Sequence, residues 1–232
     1  MVKIICIIPA RSGSKGIKNK NLKKINHLTL IEHSIVFAKK TGIFDKIVLS
    51  TDSQKYLYYA SKHGLNTPYL RNKILSKNFV KDVEFLKPEF IKYEKYFGKK
   101  FDYACLMQPT SIPRYKKDFF LMLKKIIRFK PGALWTVKEV DNKFNPFKQL
   151  VIKNNQLEYY DKKGSNFVAR QLLKKTFVRN GNAYFLSRNN ILKNNWLPRA
   201  SLPFIQMKQK IFNIDDIKDY NNAKMFIEGK KL

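Results

Sequence analysis

The apolar positions of this chain switch between two periods, and each switch marks an element. Val2 to Ile8, with Lys3 as its one polar residue, is an apolar run closed by Pro9, the pattern of a strand buried on both faces of a parallel sheet. Leu30, Ile31, Ser34, Ile35 and Ala38 then fall on one helical stripe ended by Gly42, and Lys46 to Ser50 reads as a second short strand entering Thr51 and Asp52. The spacing predicts helices over Gln54 to His63, stopped by Gly64, and over about Asp82 to Tyr96. A strand from Phe101 to Met107 follows, broken by Gln108-Pro109-Thr110-Ser111-Ile112-Pro113-Arg114. Tyr115 to Phe129 has helical spacing up to Pro131-Gly132, and Ala133 to Val137 is rich in strand formers. Strands and helices therefore alternate in the manner of a doubly wound α/β sheet.

From Asp141 to about Thr176 the periodicity weakens into polar, aromatic-dotted segments, which read as short strands and loops of an appended flap. Regularity returns with strands predicted at Asn182 to Leu186 and Lys210 to Ile214. A terminal helix is expected over Ile217 to Ile227, with Tyr220, Ala223 and Ile227 on one face. At 232 residues and 44% hydrophobic content the chain can bury one substantial core, so 1–232 is read as a single domain with a flap at about 141–176.

Lys and Arg total 47 against 17 Asp and Glu, a formal net charge of +30. Such a charge raises nucleic acid or an anionic membrane as partners. The cations are scattered through helices and turns, however, with no basic tail and no recognisable nucleic-acid-binding module, so a solvated Lys-rich surface and no specific nucleic-acid partner are expected. No apolar run reaches the roughly 20 residues that span a bilayer, and no signal-peptide pattern precedes the first strand, so a cytoplasmic address is expected. Cys6 and Cys105 both sit in apolar strand patterns and read as core residues.

The chemistry concentrates where the first strand ends. Arg11-Ser12-Gly13-Ser14-Lys15-Gly16, running on to Lys20 and Asn21, joins small residues to cations. Glycine permits close backbone approach, the serines offer hydroxyls, and the cations pair with phosphates, so a nucleotide is the expected ligand. The stretch is neither a P-loop nor a dinucleotide fingerprint. By itself it has a second, lesser reading as the surface βα loop of a Lys-rich protein.

Further segments occur in order: LSTDS at 49–53, LMQPTSIPR at 106–114, RNGNAYF at 179–185 and NIDDIKDYNNAK at 213–224. Together with IIPARSGSKGIKNKNL they resemble the acylneuraminate cytidylyltransferases, the CMP-sialic acid synthetases and their relatives acting on legionaminic and pseudaminic acids. The resemblance covers nearly the whole chain. It implies a Rossmann-like nucleotidyltransferase fold with a small dimerisation flap, a homodimer, Mg²⁺ (or Mn²⁺) dependence, and activation of a nine-carbon 2-keto sugar acid by CTP with release of pyrophosphate.

By the same resemblance Arg11, Lys20 and Asp215 are the catalytic groups. Arg11, Ser12, Gly13, Ser14, Lys15 and Asn21 would hold CTP, with Asn21 and nearby backbone reading the cytosine. Arg71 and Ser76 match the family's second nucleotide-contact stretch loosely, lacking its Arg-Pro and the acidic residue after the serine. Gln108, Arg170, Gln171, Asn180 and Tyr184 would face the sugar acid, with Arg170 and Gln171 reaching into a partner's site. Gln108 has a second reading as a turn-stabilising amide. Thr110, Ser111 and Arg114 have no clear role, and Trp196, Leu197 and Phe204 are further candidates for the sugar pocket. His27, His33 and His63 fall in no motif and read as surface or helix-end residues.

One departure bears on chemistry. The family places two metal-binding carboxylates alternately along a strand, and here they are Asn213 and Asp215. Alternation keeps both on one face, but an amide holds a hard cation less tightly than a carboxylate. Asp216 would point the other way unless a bulge turned it inward. Asp215 is thus expected to be the main protein ligand, assisted by Asn213. Two alternatives follow: a nucleotide-binding relative impaired in metal binding or catalysis, and an enzyme for another sugar acid such as Kdo, whose activating enzymes have a different opening turn.

Overall fold

The structure is a computed structural model and describes residues 2–13, 16–77, 79–166, 173–206 and 210–229. The chain divides into two compact units: 1–136 with 180–204 and 210–232, and 137–179 with 205–209.

In chain order the first unit begins with β1 (Ile4–Pro9), the hairpin β2 (Lys24–Ile25) and β3 (Leu28–Thr29), α1 (Leu30–Thr41), β4 (Lys46–Ser50) and α2 (Gln54–Ser61). It continues through α3 (Asp82–Phe97), β5 (Tyr103–Leu106), β6 (Ser111–Ile112), α4 (Lys116–Phe129) and β7 (Ala133–Glu139). After the hairpin strands β8 (Leu150–Lys153) and β9 (Gln156–Tyr159) come β10 (Phe177–Ser187), α5 (Arg188–Leu192), β11 (Ser201–Ile205), β12 (Phe212–Asn213) and α6 (Ile217–Ile227).

Six strands form the main sheet in the order β11-β7-β10-β5-β1-β4. β1 is parallel to both β4 and β5, while β10 runs antiparallel to β5. The continuous apolar run of β1 is explained by its place between β5 and β4: Ile4, Cys6 and Ile8 join α1, α2 and α4 in one core cluster, and alternation turns the equally buried Ile5 and Ile7 to the other face. Cys6 and Cys105 are register partners across β1 and β5, and both thiols are buried.

Local signals set the boundaries. Thr29 caps α1 in a capping box with Glu32, and Gly42 ends it at φ 70°. Asn26 and His27 both have positive φ, as the two-residue turn between β2 and β3 requires. α6 spans the predicted Ile217–Ile227; its Ala223, Tyr220 and Ile227 pack with Ile17, Ile25, Leu30, Ile112 and Ile214. The strand predicted over Lys210 to Ile214 is shorter, only Phe212–Asn213, and pairs with β6, itself unanticipated inside a Pro-bounded loop. β11 was also not anticipated, because Pro203 interrupts its pattern and only Phe204 is buried.

In the second unit β8 and β9 pair around Asn154 and Asn155, both at positive φ. Every residue of these two strands is exposed, so this hairpin has no core of its own. No described helix is long and apolar enough to cross a membrane.

Candidate active site

Parallel strands present their carboxyl ends on one edge, and the loop after β1 is fastened there to the loop after β4. Ala10 N donates to Ser50 O at 2.9 Å, while Ser12 donates to Asp52 through both its backbone N (2.7 Å) and its Oγ (2.8 Å). The Ser12 hydroxyl is thus committed to shaping the loop, which then turns at Gly13 with φ 74°. Asn21 is buried and its Nδ2 donates to Arg11 O at 3.3 Å, closing the turn from the far side. Ser14 and Lys15 lie outside the described residues.

These loops border a cleft of about 470 Å³. Its cations are Arg11, Lys20, Arg71 and Lys77; its carboxylates are Asp82 and Asp215. The excess of cations suits a polyanionic ligand. Asn21, Gln108, Thr110 and Asn213 add polar groups, and Phe85 an apolar surface. Of these, Lys77, Asp82 and Phe85 were missed from the sequence. The one signal for them is the start of α3, where Asp82 and Phe85 are three residues apart and share a helical face.

Arg71 is set rigidly. Its backbone N donates to Thr51 O (2.7 Å), its Nε donates to Ser76 Oγ (3.0 Å), and its guanidinium lies 4.8 Å from the Phe85 ring centroid. Burial pulls its pKa below the usual arginine value, against the opposing pull of the Glu89 and Asp52 carboxylates. Glu89 is itself buried and accepts from Ser50 Oγ at 2.7 Å. Ser76 does not line the cleft; it positions Arg71.

Gln108 lies two residues beyond the end of β5, its backbone N donating to Gly181 O at 3.3 Å. Gly181 has φ 71°, and a β-carbon there would collide with Ser111 Oγ and Gln108 Oε1. Tyr184 Oη accepts from Gly181 N at 2.7 Å, while its ring packs on Trp135 and Trp196. Asn180 Oδ1 accepts from Asn182 N at 3.2 Å. Asn180 and Tyr184 therefore build the backbone behind Gln108 and do not line the cleft. Arg114 donates to Gln108 O, to Ser34 Oγ (3.2 Å) and to Asn182 O (3.4 Å), and desolvation lowers its pKa to about 10. Its role is to clamp the strand ends. Leu197 is exposed and Phe204 belongs to the core, and neither lines the cleft. None of the three histidines reaches it. Arg170 and Gln171 lie outside the described residues.

The pairing of β6 with β12 places Asn213 opposite Ser111, whose Oγ donates to Asn213 Oδ1 at 3.2 Å. Asn213 Nδ2 donates to Asp215 Oδ2 at 3.2 Å, so the two side chains meet on one face. Lys20 Nζ donates to Asp215 Oδ1 (3.2 Å) and Ile214 O (2.8 Å). Asp216 is taken up otherwise: it caps α6, accepting from Asp219 N at 2.8 Å. Among the described residues no cluster of three His, Cys, Asp or Glu could hold a metal. Asn213 turns its Nδ2 to Asp215 and its Oδ1 to Ser111, so a flip of the amide would set one carboxylate beside one amide oxygen, a pair that fits an ion such as Mg²⁺, which takes one or two protein oxygens and completes its shell with water and phosphate.

A family model for cytidylyltransferases matches residues 5–91. A pseudaminic acid cytidylyltransferase from Campylobacter jejuni is 30% identical over 228 residues, covering 97% of this chain and 96% of that protein. The chain belongs to the acylneuraminate cytidylyltransferase family. A CMP-N,N'-diacetyllegionaminic acid synthase from the same species is 29% identical over 234 residues, covering 100% of this chain and 98% of the relative. Among solved structures, a CMP:2-keto-3-deoxy-manno-octonic acid synthetase complexed with CTP superposes with a TM-score of 0.73 over 99% of this chain and 100% of that one, at 12% identity, a likeness of fold. Members of this family are nucleotidyltransferases, and the doubly wound sheet with its cleft at the strand ends is that Rossmann-like fold.

Proposed function

We propose that this enzyme activates a nonulosonic acid, a nine-carbon 2-keto sugar acid, with CTP, giving the CMP-sugar and pyrophosphate. The observation that carries the reading is the convergence of Arg11, Lys20, Arg71, Gln108 and Asp215 on one cleft at the carboxyl ends of β1 and β5.

The anomeric hydroxyl oxygen attacks the α-phosphorus of CTP, the bond from that phosphorus to the pyrophosphate oxygen breaks, and the hydroxyl proton passes to solvent water. Charge grows on the phosphate oxygens, so fixed cations lower the barrier. Arg11 and Lys20 meet the phosphates, Arg71 is preset by Ser76 and Phe85 for the nucleotide, and the backbone around Asn21 faces the cytosine. The Gln108 amide, backed by Gly181, orients the sugar. Asp215 and Asn213 would hold Mg²⁺, which supplies charge neutralisation at the phosphates when bound. Arg170 and Gln171 of a partner subunit would meet the sugar carboxylate. The exposed Ile152, Leu157 and Tyr160 beside or within the β8–β9 hairpin support a homodimer through this flap. CTP and soluble sugar acid as substrates imply work in the cytoplasm.

Pyrophosphate release from CTP and Mg²⁺, assayed with N-acetylneuraminic, legionaminic and pseudaminic acids and with Kdo, tests the reading. Release with one nine-carbon acid is expected. Release with Kdo alone would reassign the substrate, and silence with all four from a folded protein that binds CTP would favour the metal-impaired alternative that Asn213 raises.

A further inference from the structure

In the corner made by Lys20, Asn213 and Asp215 each Asp215 oxygen already has a donor and the ammonium balances the carboxylate without any ion. Lys20 Nζ donates to one oxygen of Asp215 at 3.2 Å, and Asn213 Nδ2 donates to the other at 3.2 Å. Ser111 Oγ holds the Asn213 amide from behind at 3.2 Å, and Ile214 O fixes the Lys20 ammonium at 2.8 Å. One ammonium against one carboxylate leaves no net charge. The Lys20 side chain is 16% exposed, so its ammonium is seated in the structure, whereas that of Asp215 is 72% exposed toward any arriving solute.

A free divalent cation coming here meets a carboxylate already neutralised by an ammonium and faces Arg11 and Arg71 in the same cleft. Hard-cation affinity follows the charge and number of oxygen ligands, and this corner offers little of either. A nucleoside triphosphate reverses both: it brings anionic oxygens and a better partner for Lys20. We propose that Lys20 is the resting counter-ion of Asp215 and closes the corner to free divalent cations, so that the cation enters only together with the nucleotide. Asn213 is integral to this device, because a carboxylate there would leave the corner with a net negative charge and a ligand pair able to hold an ion alone. The inference rests on the reading of Asp215 and Asn213 as metal ligands.

Mn²⁺ is the probe, followed by the electron paramagnetic resonance signal of the free ion, with the full chain and two single variants. Without nucleotide, Lys20→Met and Asn213→Asp should each bind Mn²⁺ about tenfold or more tightly than the parent. CTP should raise Mn²⁺ retention by the parent far more than by Asn213→Asp, in which Lys20 and its contacts are kept. Circular dichroism establishes that all three chains are folded. Parent affinity for nucleotide-free Mn²⁺ equal to that of both variants would overturn the proposal. Failure of CTP to stabilise the parent thermally would instead defeat the cytidylyltransferase reading, and the ranking of nucleotide-free affinities would still decide the role of Lys20.

Discussion

Gly16 lays its backbone against the carbonyl oxygen of Asp215, leaving no space for a β-carbon between them. The loop after β1 and the segment that carries Asp215 are in this way fitted to each other through a missing side chain. Gly16→Ala should push Asp215 out of place while leaving the core intact. The expected result is a fall in kcat of about 10²-fold, the effect of a displacement near 1 Å, with a thermal midpoint close to that of the parent.

Glu89 is buried, and its negative charge supports the buried Arg71 guanidinium against desolvation. Glu89→Gln removes that support and disturbs the bond from Ser50 Oγ, so it is expected to cost about 1–3 kcal/mol in urea unfolding. An exposed surface pair gives under about 1 kcal/mol, so a loss that small would show that Arg71 is not held by Glu89.

Tyr184→Phe separates two roles for this residue. The hydroxyl accepts from the buried Gly181 N, so its loss leaves an unsatisfied donor and should cost about 1–3 kcal/mol. If the hydroxyl works only through Gly181 and Gln108, KM for the sugar acid should rise together with the stability loss, and a Gly181 substitution should reproduce the effect on KM.

Acid should weaken the fold in two steps. Burial, aided by Arg114, lowers the His33 pKa below its usual 6.5 against the raising effect of its Ile25 hydrogen bond. The unfolded chain then takes up that proton more readily, so stability falls as pH drops below 6.5. At Glu32, burial alone would raise the pKa, but the backbone and side chain of Thr29 and the contact with His63 outweigh it and leave it below 4.5. Its contribution is complete above 4.5 and is lost as pH falls through the lower folded value. Urea midpoints against pH should show both limbs, with His33→Gln flattening the first and Glu32→Gln the second.

Elements with strong periodicity and local punctuation were legible in the sequence. α6 was read to the residue because Asp216 and Asp219 form a capping box ahead of an apolar face, and β4 likewise because its apolar run is short and sharply bounded. β6 escaped detection and β12 was read too long, since two residues carry no period and only their mutual pairing makes them strands. In the site, cations after β1 were legible as motif residues. The structural work of Ser12, Ser76 and Tyr184 was not, because a hydroxyl in a motif looks the same whether it faces ligand or backbone. Asp82 and Phe85 carried only their three-residue spacing at the start of α3, and nothing in the sequence tells which face of that helix packs toward the cleft.

The two sulfurs that face each other across β1 and β5 offer a practical consequence. They are the chain's only cysteines, and both are fully enclosed. Thiol reagents should leave the native enzyme untouched, so a Lys77→Cys substitution on the cleft wall would present one reactive handle. A dye attached there would report the arrival of nucleotide as a change in emission, in a protein otherwise silent to maleimide chemistry.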